Sequence, residues 1–530
     1  MRSTFHSFET AKRSLFTQTA ALGTTGHNIA NANTEGYSRQ VVKMQASIPM
    51  EAYGLNRSTA AGQLGTGVEF NSIERIREKF LDDQFRGENS SFGSWNIQYD
   101  TLDKLEAIIN EPSDSGIRKV MDNFWNSFSE LSKNPDDPTA RKIVKQTAEA
   151  LTDAFNHMST QLDNLSRDLN SNIDVKATEA QGYLTAIADL NSSITRIEQL
   201  GDKANDLRDQ RDLMVDKLSK IMNITVTDGE GGYNVSLGGQ SLVEGDTVAA
   251  TVDGAFLNTA YESGDLKGGE VHGMIISKDI LVEDYRNQMN SLANTLVNGN
   301  VEVKLPAGAM PPEGTILTAD AEVKINGQVS IIPAGQPIPS GATLNKDVST
   351  IVKGFNGLHQ LGYTMDGSTD KGVPFFTAAD GGTDITAGNI RLNQIISDNP
   401  DKIATSMRLS TDGNSVIKGN NDLAKLLTNL KNSSFTVPGS TNTSTVDGLF
   451  SSMVGQLGVQ TQETQRQAEN SSFLVSQVDT RRMSVSGVSL DEEMTNMIKF
   501  QHAYSAASRF LTTFDQLLDK LINSTGVVGR

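Results

Sequence analysis

FQHAYSAASRFLTTFDQLLDKL, residues 500–521, carries Phe500, Ala503, Ala507, Phe510, Phe514, Leu517 and Leu521 at alternating steps of three and four. Such steps lay an apolar seam along one side of a helix, the pattern by which helices pair as coiled coils. Near the other end, Phe8, Leu15, Leu22 and Ile29 recur every seven residues. That seam is weaker, because Lys12, Thr19 and Gly26 take its alternate positions. A chain whose first and last helices are both built for pairing reads as an assembly subunit; the bland alternative is an ordinary helix pair in a globular protein. In a free chain the seams have little to bury against, and their few large side chains return less than the entropy lost on ordering the backbone. The two ends, 1–45 and 485–530, are therefore expected to form one inner coiled-coil domain, disordered in the monomer and folded on assembly.

Inward from the ends, residues 4–30 read as an amphipathic helix that stops in the Asn- and Gly-rich run 28–37. An extended stretch follows to about residue 70, then helix to about 222, with breaks at Asn110-Glu111-Pro112 and between Asn134 and Pro138. Val144, Ala148, Leu151, Phe155, Met158, Leu162, Leu165 and Leu169 form another seam, which Ile187, Leu190, Ile194 and Ile197 continue. Gly182 and Gly201 predict two or three helical segments folded as antiparallel hairpins there. Phe124 and Trp125 read as core packing. The cluster Arg208 to Asp212 fits either a solvated, salt-bridged helix face or a contact between subunits.

The texture changes near Ile224, where short Gly-punctuated runs predict strands. A helix is expected over about 278–298, a small β insertion over the proline-rich 301–350, a loop over 432–444, and helix again over about 449–484. The fold class is thus mostly α with a β-rich outer portion. A helical rod domain (46–225 with 445–484) lies between the terminal domain and an outer mixed domain (226–444) that carries the insertion.

Of the formal net charge of -18, residues 1–45 hold +3 and residues 485–530 hold -1, which leaves -20 for the interior. Nearly neutral ends suit close packing between copies, and an acidic interior suits an exposed, self-repelling surface. The balance argues against nucleic acid and against anionic membrane, both of which need a basic surface. No cysteine is present, so neither disulfides nor thiolate metal sites contribute. The N-terminus lacks the apolar run of a secretory signal peptide, and no stretch approaches the roughly 20 apolar residues of a membrane span. Those features alone indicate a cytoplasmic protein.

Nothing in the sequence asks for catalysis. The six histidines have no metal-ligand spacing, and neither a nucleophile elbow nor a phosphate-binding loop occurs. Asp366-Gly367-Ser368-Thr369-Asp370 hints at a calcium loop, but Lys371 stands where the sixth-position glycine belongs. No catalytic residue, cofactor or metal is expected.

Residues 28–40, Asn-Ile-Ala-Asn-Ala-Asn-Thr-Glu-Gly-Tyr-Ser-Arg-Gln, resemble the N-terminal signature of bacterial flagellar rod, hook and hook-associated proteins. Val488 to Met494, Asn496 to Ile498 and Gln501 to Tyr504 are similar to the matching C-terminal signature. Three interior blocks, 124–138, 204–212 and 356–363, resemble the hook-associated protein 1 (FlgK) family, in the family's order; 301–350 has no counterpart there. The resemblance implies an axial structural protein at the hook–filament junction. It further implies a homo-oligomeric ring, contacts with the hook protein and with the next hook-associated protein (FlgL type), and a FlgN-type export chaperone on the C-terminal helix. Residues of such an interface would be Phe8, Leu15, Leu22, Ile29, Asn31, Asn33, Gly36 and Tyr37 at the start, and Phe500, Ala503, Ala507, Phe510, Phe514, Leu517 and Leu521 at the end. Localisation is then extracellular, through the flagellar type III channel without a cleaved signal. The alternatives are the hook protein itself, or a flagellum-displayed adhesin or enzyme with activity in 226–445.

Overall fold

The computed structural model describes residues 5–49, 65–109, 116–366, 369–410 and 413–523. The expected break at Asn110-Glu111-Pro112, and Gly367 and Ser368 of the calcium-like turn, lie outside them. In chain order the first half comprises α1 (His6–Ala30), the hairpin β1 (Gln40–Ala46) and β2 (Val68–Arg75), α2 (Lys79–Ile109), α3 (Ile117–Lys133), α4 (Pro138–Glu198) and α5 (Asn205–Ile221). An antiparallel meander of β3 (Thr225–Gly229), β4 (Gly232–Leu237), β5 (Gln240–Glu244) and β6 (Thr247–Val248) follows. Helices α6 (Gly254–Glu262), α7 (Glu270–Ile276) and α8 (Glu283–Asn298) come next, the last two joined without a break by a π-helical stretch, Ser277–Val282.

The insertion supplies β7 (Asn300–Leu305), β8 (Ala321–Ile325), β9 (Gln328–Ile332), β10 (Thr343–Leu344) and β11 (Val348–Lys353). Short elements α9 (Gly354–His359), β12 (Phe376–Ala378), β13 (Ile390–Leu392), α10 (Gln394–Asp398), α11 (Asp422–Asn429), β14 (Phe435–Thr436) and β15 (Thr443–Ser444) lead to α12 (Val446–Ser486) and α13 (Leu490–Asn523). The helix-rich ends and the β-containing centre agree with the expected fold class.

Two expectations need correction. Helix α4 runs unbroken for 61 residues through Gly182 and ends just before Gly201, whose φ of +96° stops it. Gly182 is exposed with nothing near its missing side chain, so it costs about 1 kcal/mol at most. The seam from Val144 to Leu169 meanwhile stays buried and continues through Ile173, Ala177, Leu184 and Ile187, which outweighs one glycine. The stretch 432–444 is no plain loop either: Phe435 pairs with Val301, so β14 joins β7 and β11 in one sheet.

The chain divides into two compact units. One comprises Met1–Asn96, Asn172–Gly273 and Gln467–Arg530; the other comprises Ile97–Ser171 and Met274–Arg466. Strands β3–β6 therefore share a unit with the terminal helices, whereas the change in sequence texture grouped them with residues 301–444. The second unit is centred on Phe124, Phe128, Phe355, Phe375 and Phe376, all fully buried, with Trp125 on the same cluster. Ring centroids lie 4.9–6.1 Å apart in tilted and edge-on arrangements, the geometry that aromatic quadrupoles favour. Core packing is thus the role of Phe124 and Trp125.

Candidate assembly interface

The two terminal helices are neighbours: α1 packs on α13 and on the β1–β2 hairpin. The expectation that the seams have little to bury against within one chain does not hold for these positions. Phe8, Leu15, Leu22 and Ile29 are half-buried, while Ala11, Thr17, Ala21, Thr24, Thr25 and Asn28 are the fully covered face of α1. Small residues at that face allow close helix approach. On α13, Phe500, Ala503, Ala507 and Phe514 are half-buried, and Leu511 and Leu518 join them. Phe510, Leu517 and Leu521 are exposed. Beyond Ala507 the covered seam therefore takes Leu511 and Leu518 in place of Phe510 and Leu517 while keeping Phe514, and three large apolar side chains of the expected seam face solvent.

What anchors this pair is polar. Helix α1 ends where Asn31 takes the cap: its backbone and side-chain N–H groups both donate to the His27 carbonyl. Gly36 then turns the chain at φ +80°, where a Cβ would sit 3.1 Å from Leu213. The chain returns over Asn28, whose side-chain amide is fully used. Asn28 Oδ1 accepts from the Tyr37 hydroxyl (2.8 Å) and the Gln40 N–H (3.0 Å). Its Nδ2 donates to the Gln40 carbonyl (2.9 Å) and to Glu493 Oε2 (3.1 Å). Glu493 also accepts from Arg39 Nε at 2.7 Å, and the Arg39 N–H donates to the Ser486 carbonyl. The N-terminal signature is thereby tied to the C-terminal one. Burial, then Asp206, Asp209 and Glu493, raise the Tyr37 phenol well above its ordinary pKa, so it remains the donor. Asn33 is exposed and Asn31 half-exposed.

A second layer lies beneath. Helix α5 presents Asp209, Asp212 and Asp216 at helical spacing, and all three are buried. The Ser38 N–H donates to Asp209 Oδ2 at 3.0 Å. Arg75 donates to Asp209 (2.6 Å) and Asp212 (2.9 Å), and Arg86 donates to Asp216 (2.8 Å). Arg77 forks onto Asp82, and Arg482 from α12 reaches Asp216 at 2.5 Å. Four arginines thus meet four aspartates. Burial alone would raise the Asp212 pKa, but Arg77, Arg75 and Arg86 together pull it down to about 2. Asp209 goes the other way, because its burial outweighs Arg75 and the Ser38 N–H.

The cluster 208–212 is therefore neither a solvated face nor, for its buried members, a subunit contact. Asp209 and Asp212 belong to this network, and Arg211 stacks 3.4 Å over Tyr233 while donating to Asn191. Of its charged members only Arg208 lies nearer the surface, paired with Glu198, beside the exposed Gln210. The sequence reading missed Arg75, Arg77, Arg86 and Arg482, and it held Glu493 only as part of the C-terminal signature. Arg75 ends β2 with Arg77 two residues beyond it, and the α5 aspartates recur along one helix side, which is a signal, but their pairing spans more than 120 residues. Among the described residues, no group of three or more His, Cys, Asp or Glu is placed to hold a metal ion.

A tightly locked terminal pair that still exposes Phe16, Met494, Ile498, Phe510 and Leu517 is the geometry of an assembly subunit. Comparison with known proteins gives the same class. A model of the flagellar basal body rod FlgEFG protein C-terminal region matches residues 480–524, and one of the hook-associated protein FlgK helical domain matches 102–300. Flagellar hook-associated protein 1 of Bacillus subtilis is 35% identical over 543 residues, covering 100% of both chains. That of Escherichia coli is 26% identical over 549 residues, covering 95% of this chain and 97% of its own. Among solved structures, the flagellar hook junction protein FlgK from Burkholderia pseudomallei aligns with a TM-score of 0.49 and 16% identity, over 76% of this chain and 100% of its own. The chain belongs to the family of flagellar hook-associated protein 1.

Proposed function

We propose that the chain is a structural axial protein of the bacterial flagellum that forms the hook–filament junction. Its copies form a ring by head-to-tail contacts through the paired terminal helices, which bind the hook protein on one side and the next hook-associated protein on the other. The apolar side chains left exposed on α13 while its polar anchor is complete carry this reading. Before assembly the same stripe is an aggregation hazard, which a FlgN-type chaperone on the C-terminal helix would cover. Export through the flagellar type III channel places the protein outside the cell, with no catalytic role. The inner domain, 1–45 with 485–530, completes its order only when neighbouring copies cover it.

Phe510→Asp combined with Leu517→Asp separates assembly from folding. Both side chains are exposed, so unfolding stability should change by less than about 0.5 kcal/mol. Filaments should nevertheless fail to attach and motility should be lost; normal swimming would refute the interface. Amide hydrogen exchange on the purified chain tests the ordering step. Exchange over 5–40 and 490–523 should be much faster than over α4, and equal protection would mean that the pair is complete without neighbours.

A further inference from the structure

Strand β9, Gln328–Ile332, is an edge without the usual protection. It closes the sheet β10-β8-β9, contains no charge and no proline, and exposes Val329 by 56% and Ile331 by 69%. Two other edges are guarded. Strand β3 carries Asp228, paired with Lys79, and β11 is overlaid by Leu317 and Thr318, whose N–H donates to the Ser349 carbonyl.

The register shows which groups of β9 point outward. Asn326 (φ +50°) and Gly327 (φ +86°) make a two-residue turn, so Ile325 and Gln328 form the closing hydrogen-bonded pair. Alternation then turns the N–H and C=O of Val329 and Ile331 away from β8. The far side of β8 agrees, since the Glu322 carbonyl, in the row of Ile331, accepts from Asn345.

We propose that β9 pairs with β9 of a second copy of this chain, antiparallel about a two-fold axis through Ser330. Val329 of each copy then exchanges both backbone hydrogen bonds with Ile331 of the other. Charge favours a copy as the occupant. Glu322 lies beside Ile331 and Lys324 beside Val329 on the exposed face, so each row across the joined sheet reads Glu, Ile, Val, Lys. The apolar centre is bounded by opposite charges, with no like pair abutting, and Glu322 is itself paired with Lys346 at 2.9 Å, so the contact is free of the excess negative charge that gives each chain its net -18. A two-fold contact is closed, so it links chains pairwise, outside any head-to-tail stacking.

The absence of cysteine makes the test clean. Ser330 would face its own copy in a non-hydrogen-bonded pair, with Cα atoms about 4.5 Å apart, within the span of a disulfide. In full-length protein under mild oxidation, Ser330→Cys should give a disulfide dimer about tenfold or more faster than Thr227→Cys on the β3 edge. Adding Val329→Pro, which removes only an outward N–H, should abolish that advantage; so should Ile331→Lys, which leaves every N–H in place. Equal rates for the two cysteines, or a rate unmoved by both second substitutions in folded protein, would overturn the pairing.

Discussion

Asp212→Ala should destabilise the unit that holds the terminal helices by about 3–5 kcal/mol, the usual result of removing one partner from a buried charge cluster. Asp212 is 1% exposed and takes hydrogen bonds from Arg75 at 2.9 Å and Arg86 at 3.4 Å, with Arg77 3.5 Å away. Without it, three buried guanidinium groups share Asp209, Asp216 and Asp82. Arg208→Ala, four residues away, removes only a partly exposed pair with Glu198 and should cost under about 1 kcal/mol. The chain has two tryptophans, one in each unit, so Trp125→Phe leaves Trp95 as a local probe for denaturant unfolding. The sign in pH follows from the lowered pKa. The contribution of Asp212 is complete above its unfolded value near 4 and falls away as pH drops towards about 2. A loss below 1 kcal/mol for Asp212→Ala would mean that the arginines are held without it, and that the network does not lock the pair.

Apolar periodicity was the legible part of this fold. Seams at Val144–Leu169 and Phe500–Leu521 located the long helices, because a 3.5-residue repeat leaves little choice of secondary structure. Misreadings arose where local and tertiary preferences compete. Gly182 looked like a break because a glycine penalty is local, whereas the seam that overrides it spans the helix. The exchange of Phe510 for Leu511 in the covered seam of α13 is invisible from spacing, since both are apolar and only α1 selects between them. The polar anchor was legible in its parts but not in its pairing: Asn28, Arg39 and Gln40 stood out as a signature, yet Glu493 lies more than 450 residues away. Charge alone cannot say whether an aspartate row is solvated or buried. That depends on where Arg75, Arg77, Arg86 and Arg482 arrive, and each comes from a different turn of the chain or a different element.

In the second unit the largest effect should come from acid. His359 is fully buried, its Nδ1 held at 2.6 Å from the Val373 carbonyl while Nε2 accepts the Ala404 N–H at 2.9 Å. Both contacts require the neutral ring, protonated at Nδ1. A proton on Nε2 would face the Ala404 N–H with a second donor. It would also add a positive charge near Arg141, which is itself buried and held by the carbonyls of Pro135 and Ile403. Burial first, then Arg141, bring the His359 pKa down to about 4, against the opposing pull of the Val373 carbonyl. An unfolded histidine titrates near 6.5, so between about pH 6.5 and 4 the unfolded chain binds more protons and stability falls with pH. From pH 7 to 5 the loss should be about 2 kcal/mol. Trp125, on the same aromatic cluster, reports it once Trp95→Phe is in place. His359→Gln should be less stable at pH 7 yet show none of this slope. A slope that survives the substitution would assign the acid sensitivity to the carboxylates, and a flat profile in the parent chain would mean that the ring tolerates its second proton where it lies.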